Sequence, residues 1–151
     1  MWKTCSCGER HWGRYGAAGL LLSDPAHTAV LLQKRSVHVH QGGTWGVPGG
    51  AIERGESVRD AALREAHEEA GLDPRALVVT ATVVGTDHGD WAYTYVLAEA
   101  ERPEHAELAA AGSTAWEAER TVWVDLAAVE TYPLHPGLRA HWPTLRSALL
   151  G

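Results

Sequence analysis

The sequence predicts an α/β domain in which a mixed sheet lies between helices. Three observations carry that expectation. Short β-rich apolar runs stand on both sides of one well-capped amphipathic helix at 57–70, a second helical stretch closes the chain, and the 151 residues hold no internal repeat, low-complexity tract or Pro/Ser linker. A chain of that size buries about 68–70% of its unfolded surface, enough for one real core. Strands followed by a helix, more strands and another helix are most simply layered as a sheet covered on both faces.

Taken in order, residues 16–22 and 28–35 are apolar runs bounded by turn formers, and Ser23-Asp24-Pro25 between them reads as a hairpin turn. Residues 41–50 contain five glycines and Pro48, the mark of a loop that needs unusual torsions or a close backbone approach. Residues 57–70 form a helix with Ser57 as N-cap, Asp60 three positions on, and Gly71 as a left-handed stop. On its wheel Ala62, Leu63, Ala66 and Ala70 make one apolar stripe to set against a sheet, while Glu65, Glu68 and Glu69 fall on a different face and His67 points to solvent. Residues 76–84 and 91–98 are strands separated by a polar turn at 85–90. Residues 101–119, rich in Ala and Glu without a period, read as a long surface loop. Residues 121–124 form a short strand, 126–130 a helical turn and 138–150 a terminal helix, with Pro143 near its first turn or kinking it.

Composition narrows the function. Thirteen basic and 19 acidic side chains give a net charge of −6, with 45% hydrophobic and 21% charged residues. This is an ordinary globular balance, and its acidic sign argues against non-specific nucleic-acid binding. No run approaches the ~18 apolar residues of a membrane span, and no apolar signal core follows Met1. Two cysteines are too few for a disulfide framework, so the cytoplasm is the expected compartment.

The chemistry concentrates at 50–72. Glu65, Glu68 and Glu69 stand at i, i+3 and i+4 with no Lys or Arg four residues after any of them. Each close pair of such carboxylates repels by a few tenths of a kcal/mol. A divalent cation among them would remove that repulsion. Carboxylate oxygens favour Mg²⁺ or Mn²⁺ over zinc, and Mg²⁺ keeps open positions for water and phosphate. The alternative is a solvated acidic helix face.

The spacing goes further. Gly50, Glu56, Arg64, Glu65, Glu68, Glu69 and Gly71 reproduce Gly, five residues, Glu, seven residues, Arg-Glu-x-x-Glu-Glu-x-Gly, and in this the chain resembles the Nudix hydrolases. Ala66 stands where the pattern usually has a bulkier aliphatic residue, which predicts looser packing under the helix. The stretches 31–35, 43–50 and 121–126 also resemble the family's lead-in strand, its approach to the box and its last strand. The likeness covers residues 16–150 and leaves an N-terminal extension of 15 residues before a 16–151 domain.

The resemblance implies a MutT-like α/β/α sandwich and hydrolysis of a nucleoside diphosphate linked to another group. It places the metal on Glu56, Glu65, Glu68, Glu69 and the Gly49 carbonyl, with Arg64 orienting a helix glutamate. Glu68 or Glu65 is the general base, and Glu119 or Glu117 is the later loop glutamate that often assists. Arg35, Trp45, Gly49 and Gly50 are candidates for contact with substrate. Trp45, Trp91, Tyr93 and Trp116 are of a kind that stacks on bases, and core packing is the alternative for each. His38 and His40 flank the Gly-rich loop, where they would touch phosphate or simply end a strand.

A nucleoside triphosphate, oxidised forms included, split to monophosphate and pyrophosphate is the expected reaction. ADP-ribose, other dinucleotides and sugar nucleotides are alternatives, and a non-catalytic nucleotide-sensing module is the alternative of another class. Homodimers are frequent in the family, and the apolar stretch 106–111 leaves room for one. Finally, Cys5, Cys7 and His11 are three of the four ligands a structural zinc needs, with His27, His38 or His40 to complete it. Without zinc, the N-terminal segment reads as reduced or disordered.

Overall fold

The computed structural model describes residues 2–4, 6, 8, 10–36, 38, 41–100 and 118–151. Nine strands are found among them: β1 (Trp2–Thr4), β2 (Arg10–Trp12), β3 (Ala17–Ser23), β4 (Ala29–Arg35), β5 (Trp45–Gly46), β6 (Gly49–Ala51), β7 (Leu77–Asp87), β8 (Ala92–Ala100) and β9 (Ala118–Asp125). Helix α1 spans Val58–Ala70 and helix α2 spans Pro136–Leu150, with short 3₁₀ turns at Pro74–Ala76 and Leu126–Thr131. No helix of the described residues is long and apolar enough to cross a membrane.

The main sheet runs β5-β4-β3-β8-β7, with β6 also on β3 and β9 also on β4. The β3–β8 pairing is parallel and the others are antiparallel, so the sheet is mixed as expected. β3 is buried along its whole length, which its unbroken run Ala-Ala-Gly-Leu-Leu-Leu-Ser permits only at the centre of a covered sheet. Its residues alternate between two cores. Ala18, Leu20 and Leu22 face Ala61, Ala62, Ala66 and Ala70 of α1, while Leu21, with Val30 and Leu32 of β4, faces Leu138, Trp142, Leu145 and Leu149 of α2. The result is the three-layer α/β/α sandwich.

Three boundaries differ from the sequence expectation. Gly85 is not in a turn: β7 runs on to Asp87, and the chain reverses at 88–91, where the His88 amide donates to the Trp91 carbonyl at 2.8 Å. A Cβ on Gly85 would lie 2.6 Å from the Tyr95 ring and 2.9 Å from His141 Nδ1, so the glycine is there to admit α2 against the sheet. β9 starts at Ala118 rather than 121, extending the short strand. In α2, Pro136 takes the first-turn position and Pro143 sits inside the helix. A mid-helix proline costs about 3 kcal/mol, and the burial of neighbouring Trp142 and Leu145 offsets it. The surface loop expected at 101–119 lies almost wholly outside the described residues, as do Trp116 and His40.

The N-terminal segment is not a disordered tail. β1 and β2 pair antiparallel, with Trp2 opposite Trp12 and Lys3 opposite His11, and the hairpin is bonded to the 88–91 turn.

Candidate functional site

Helix α1 sets the site. Ser57 Oγ accepts the Asp60 amide at 3.0 Å, and Gly71, at φ 68°, ends the helix by donating to the His67 carbonyl. Such a cap is worth ~1 kcal/mol. The buried face is built of alanines, so α1 lies close upon β3 and β6. Ala66 is fully buried there, so the small residue leaves no exposure at that position. His67 is exposed, as the wheel predicted.

Arg64 is the hub. Its Nε and Nη2 donate to the two oxygens of Glu56 at 2.8 and 2.9 Å, Nη1 donates to Glu65 at 2.9 Å and reaches Glu68 at 3.5 Å, and Nη2 also donates to the Ala51 carbonyl at 3.0 Å. Glu53 lies 3.8 Å away. One guanidinium thus ties the helix to β6 and gathers the carboxylates. Its hydrogen bonds hold Glu56 below the usual carboxylate range, against a smaller opposing effect of burial. The Glu56 bonds likewise raise the Arg64 pKa, so its charge is permanent.

Glu69 takes a different environment. It is buried, and Oε2 accepts from Gln33 Nε2 at 3.0 Å and from the Gly49 amide at 3.2 Å. Glu68 is the outermost of the three, its side chain 56% exposed. Gly50 has no room for a side chain: a Cβ would stand 2.6 Å from the Glu65 carboxyl carbon. Gly49 and Gly19, paired across β6 and β3, are similarly tight, because the Tyr93 hydroxyl would lie 2.8 and 2.3 Å from their added Cβ atoms. Burial first, then Tyr95 and the carboxylates of Glu69 and Glu65, raise the Tyr93 pKa against the opposing charge of Arg35, so the phenol stays neutral.

Two predicted residues stand elsewhere. Trp45 is only 6% exposed and belongs to the α2-side core, its ring edge-on to Tyr132 with the Arg120 guanidinium over it. It is on the opposite face of the sheet from α1, and this is the packing alternative rather than an open stacking platform. Trp91 is also buried, its indole N–H donating to the Gly13 carbonyl at 3.0 Å. Glu117 and the side chain of Glu119 lie outside the described residues. The β9 backbone nevertheless has an extra residue here: Lys34 pairs with Arg120 and Arg35 with Ala118, leaving Glu119 in a β-bulge. Bulges commonly re-aim a side chain next to a site.

The sequence reading missed Gln33 and the Tyr93 hydroxyl. A glutamine in an otherwise apolar strand run was the available signal for the first. Gln33 Oε1 is buried with no hydrogen-bond partner among the described residues, so the floor of the site keeps an open acceptor.

A hard divalent cation fits this donor set by chemistry. Glu53, Glu56, Glu65 and Glu68 surround one guanidinium, and Glu69 adds another carboxylate. The excess is anionic and all-oxygen, which suits hard cations. Among the described residues no three His, Cys, Asp or Glu side chains form a group poised to hold a metal, and Glu56, Glu65 and Glu68 are engaged with Arg64.

The family model for the NUDIX domain matches residues 13–146. A Mycobacterium tuberculosis protein named "Putative 8-oxo-dGTP diphosphatase 3" is 46% identical over 97% of this chain and 69% of its own length. A Bifidobacterium longum protein, "Nucleoside triphosphate pyrophosphatase/Nudix hydrolase fusion protein", is 39% identical over 98% of this chain and 31% of its own length. Among solved structures, the M. smegmatis Nudix hydrolase RenU superposes with a TM-score of 0.85 at 41% identity, covering 99% of this chain and 94% of RenU.

Proposed function

The chain belongs to the Nudix family and is a hydrolase of pyrophosphate bonds; from that premise we propose a MutT-like, Mg²⁺-dependent nucleoside triphosphate pyrophosphatase. It releases a nucleoside monophosphate and pyrophosphate, and oxidised deoxyguanosine triphosphate is among its substrates. The observation that carries this reading is the 46% identity, over nearly the whole chain, to a protein named as an 8-oxo-dGTP diphosphatase.

Nudix hydrolases generally use a divalent metal. Here Glu56, Glu65, Glu68, Glu69 and the Gly49 carbonyl would hold Mg²⁺, with Mn²⁺ as a substitute. When bound, the ion neutralises diphosphate charge and makes water more acidic. The protein supplies the rest. Glu68, the outermost of the three helix carboxylates, takes the proton of the attacking water, with Glu65 as the alternative base. Arg64 orients Glu65 and Glu56 through the bonds described above. Gln33 and the Gly49 amide fix Glu69 in one rotamer. The bare Gly49-Gly50 backbone lets a bulky anion approach, and Arg35 provides a fixed positive charge for phosphate. Glu119, in the β9 bulge, is the assisting glutamate. Residues 16–151 form the catalytic domain, which acts on a small nucleotide in the cytoplasm.

The test is hydrolysis by the purified chain with Mg²⁺, beside Glu68→Gln. Ordinary and oxidised nucleoside triphosphates, ADP-ribose, NADH, dinucleoside polyphosphates and nucleotide sugars form the panel, with products separated by ion exchange. Triphosphate turnover yielding pyrophosphate, abolished by EDTA and reduced at least ~100-fold in the variant, is expected. Turnover of dinucleotides or sugar nucleotides instead of triphosphates, or an unaltered variant, overturns the proposal.

A further inference from the structure

We propose that Gln33 is a positioning residue of the cation site: its amide nitrogen fixes the Glu69 carboxylate, and its carbonyl oxygen accepts a hydrogen bond from a water that the divalent cation carries. This rests on the divalent-cation reading above, and it adds a residue of the central sheet to a donor set otherwise drawn from residues 49–69. Cys5 and Cys7, expected from the sequence as zinc ligands with His11, lie outside the described residues and have no part in it.

Gln33 interrupts an apolar strand. β4 reads Ala-Val-Leu-Leu-Gln-Lys-Arg, and at Gln33 it is held on both sides, opposite Gly46 of β5 and Thr121 of β9. The backbone is thereby fixed in the sheet, and the side chain goes to one face. Leu31, two residues earlier, belongs to the α1-side core, so Gln33 takes the same side. It is only 4% exposed and meets buried Glu69 there. A leucine in its place would add apolar burial and leave no polar atom to satisfy.

One end of this amide is paired and the other is not. Gln33 Nε2 donates to Glu69 Oε2 at 3.0 Å, and the Gly49 amide donates to the same oxygen at 3.2 Å. An ionised carboxylate only accepts, so the nitrogen must face it and the carbonyl must face away. Glu69 therefore dictates which way the amide is turned. Gln33 Oε1 is left buried with no hydrogen-bond partner among the described residues. Buried polar atoms are nearly always paired, so this one marks a place for a donor.

The surroundings select the donor. A substrate phosphate does not serve, since its oxygens only accept. The neighbouring carboxylates accept as well. Mg²⁺ keeps several waters when carboxylates bind it, and the protons of those waters need acceptors. Outer partners that hold a ligating carboxylate are part of a metal site, and losing one typically weakens binding by about 10–100-fold. Gln33 serves on both counts, as donor to Glu69 and as acceptor for water.

The test reads the metal rather than turnover, in the full chain without nucleotide, so that no donor on a substrate contributes. Mn²⁺ affinity is taken from the electron paramagnetic resonance of the free ion. Gln33→Met keeps the length of the side chain and removes both donor and acceptor. Its Kd for Mn²⁺ should rise at least ~10-fold, with the metal-free Tm within about 4 °C of the parent. A second readout uses the unaltered chain and survives if the variant fails to fold. The sequence has two glutamines, Gln33 and Gln41, and no asparagine, so the side-chain amide NMR spectrum holds two pairs of signals, assigned with Gln41→Ser. Mg²⁺ should shift the side-chain carbonyl carbon of Gln33, and Mn²⁺ should broaden its amide pair. A Gln33→Met chain that binds Mn²⁺ within about twofold of the parent, or Gln33 signals unmoved by saturating Mg²⁺, overturns the proposal and leaves the divalent-cation reading standing. A parent chain that binds no Mn²⁺ overturns both.

Discussion

Replacing Arg64 by Met removes the guanidinium while keeping an aliphatic stem, so the loss is electrostatic rather than a matter of packing. The bidentate bond to Glu56, the bond to Glu65 and the bond to the Ala51 carbonyl disappear together. Breaking a buried ion pair costs about 3–5 kcal/mol. The Arg64 side chain is 24% exposed and Glu56 15%, and solvent screening at such a partly open site reduces the figure to roughly 2 kcal/mol. For a domain of this length that lowers Tm by roughly 4–8 °C. The effect has a pH signature. Glu56 titrates below its ordinary value of 4.5 in the folded state, so the pair's contribution is complete above that value and is lost as pH falls through the lowered one. The gap between parent and variant should therefore close in acid. Mg²⁺ should raise Tm more in Arg64→Met than in the parent, since the cation then replaces the lost positive charge. Thermal unfolding by circular dichroism, across pH and with and without Mg²⁺, reads all three effects. A variant melting within about 1 °C of the parent at neutral pH, or a gap that widens in acid, would refute the hub assignment.

Gly50→Ala places a methyl on the Glu65 carboxylate; because a flexible side chain can yield, stability should change by less than ~1 kcal/mol while turnover falls at least ~10-fold, measured by urea unfolding beside steady-state kinetics. Gly85→Ala should do the reverse, costing about 1–3 kcal/mol through overpacking against Tyr95 and His141 with KM unchanged. His27 is raised above its ordinary value first by the hydrogen bond to Glu99 and next by that to the Leu149 carbonyl. Its contribution is therefore complete below about pH 6.5 and is lost as pH rises through the raised value. His27→Asn, which tolerates the positive φ of 56°, should flatten the fall in Tm between about pH 6 and pH 9; an equal fall in both proteins would show that the pair contributes nothing.

Local chemistry was legible in the one-dimensional pattern. The Ser57 cap, the left-handed Gly71 stop, the alanine stripe of α1 and the order of strands follow from residue type and period, because caps and amphipathic faces are decided within a few residues of chain. The box spacing likewise located Glu56, Arg64, Glu65, Glu68 and Glu69 in advance. What those residues touch was not legible. Nothing in the pattern says that Arg64 holds Glu56 and Glu65 at once, that Gln33 from a distant strand fixes Glu69, or that Tyr93 fills the space under Gly19 and Gly49. The last two join positions many residues apart, and only packing of β3, β4, β6 and β8 against α1 brings them together, whereas Arg64 reaches its glutamates within one stretch of chain. The same reason explains the errors. Gly85 reads as a turn former in one dimension, yet the approach of His141 from α2 makes it a strand glycine. For Trp45 the sequence leaves base stacking and core packing both open, and the α2-side core takes its ring. The partner of His11 is His88, 77 positions away, a distance at which sequence spacing carries no information and tertiary contact decides.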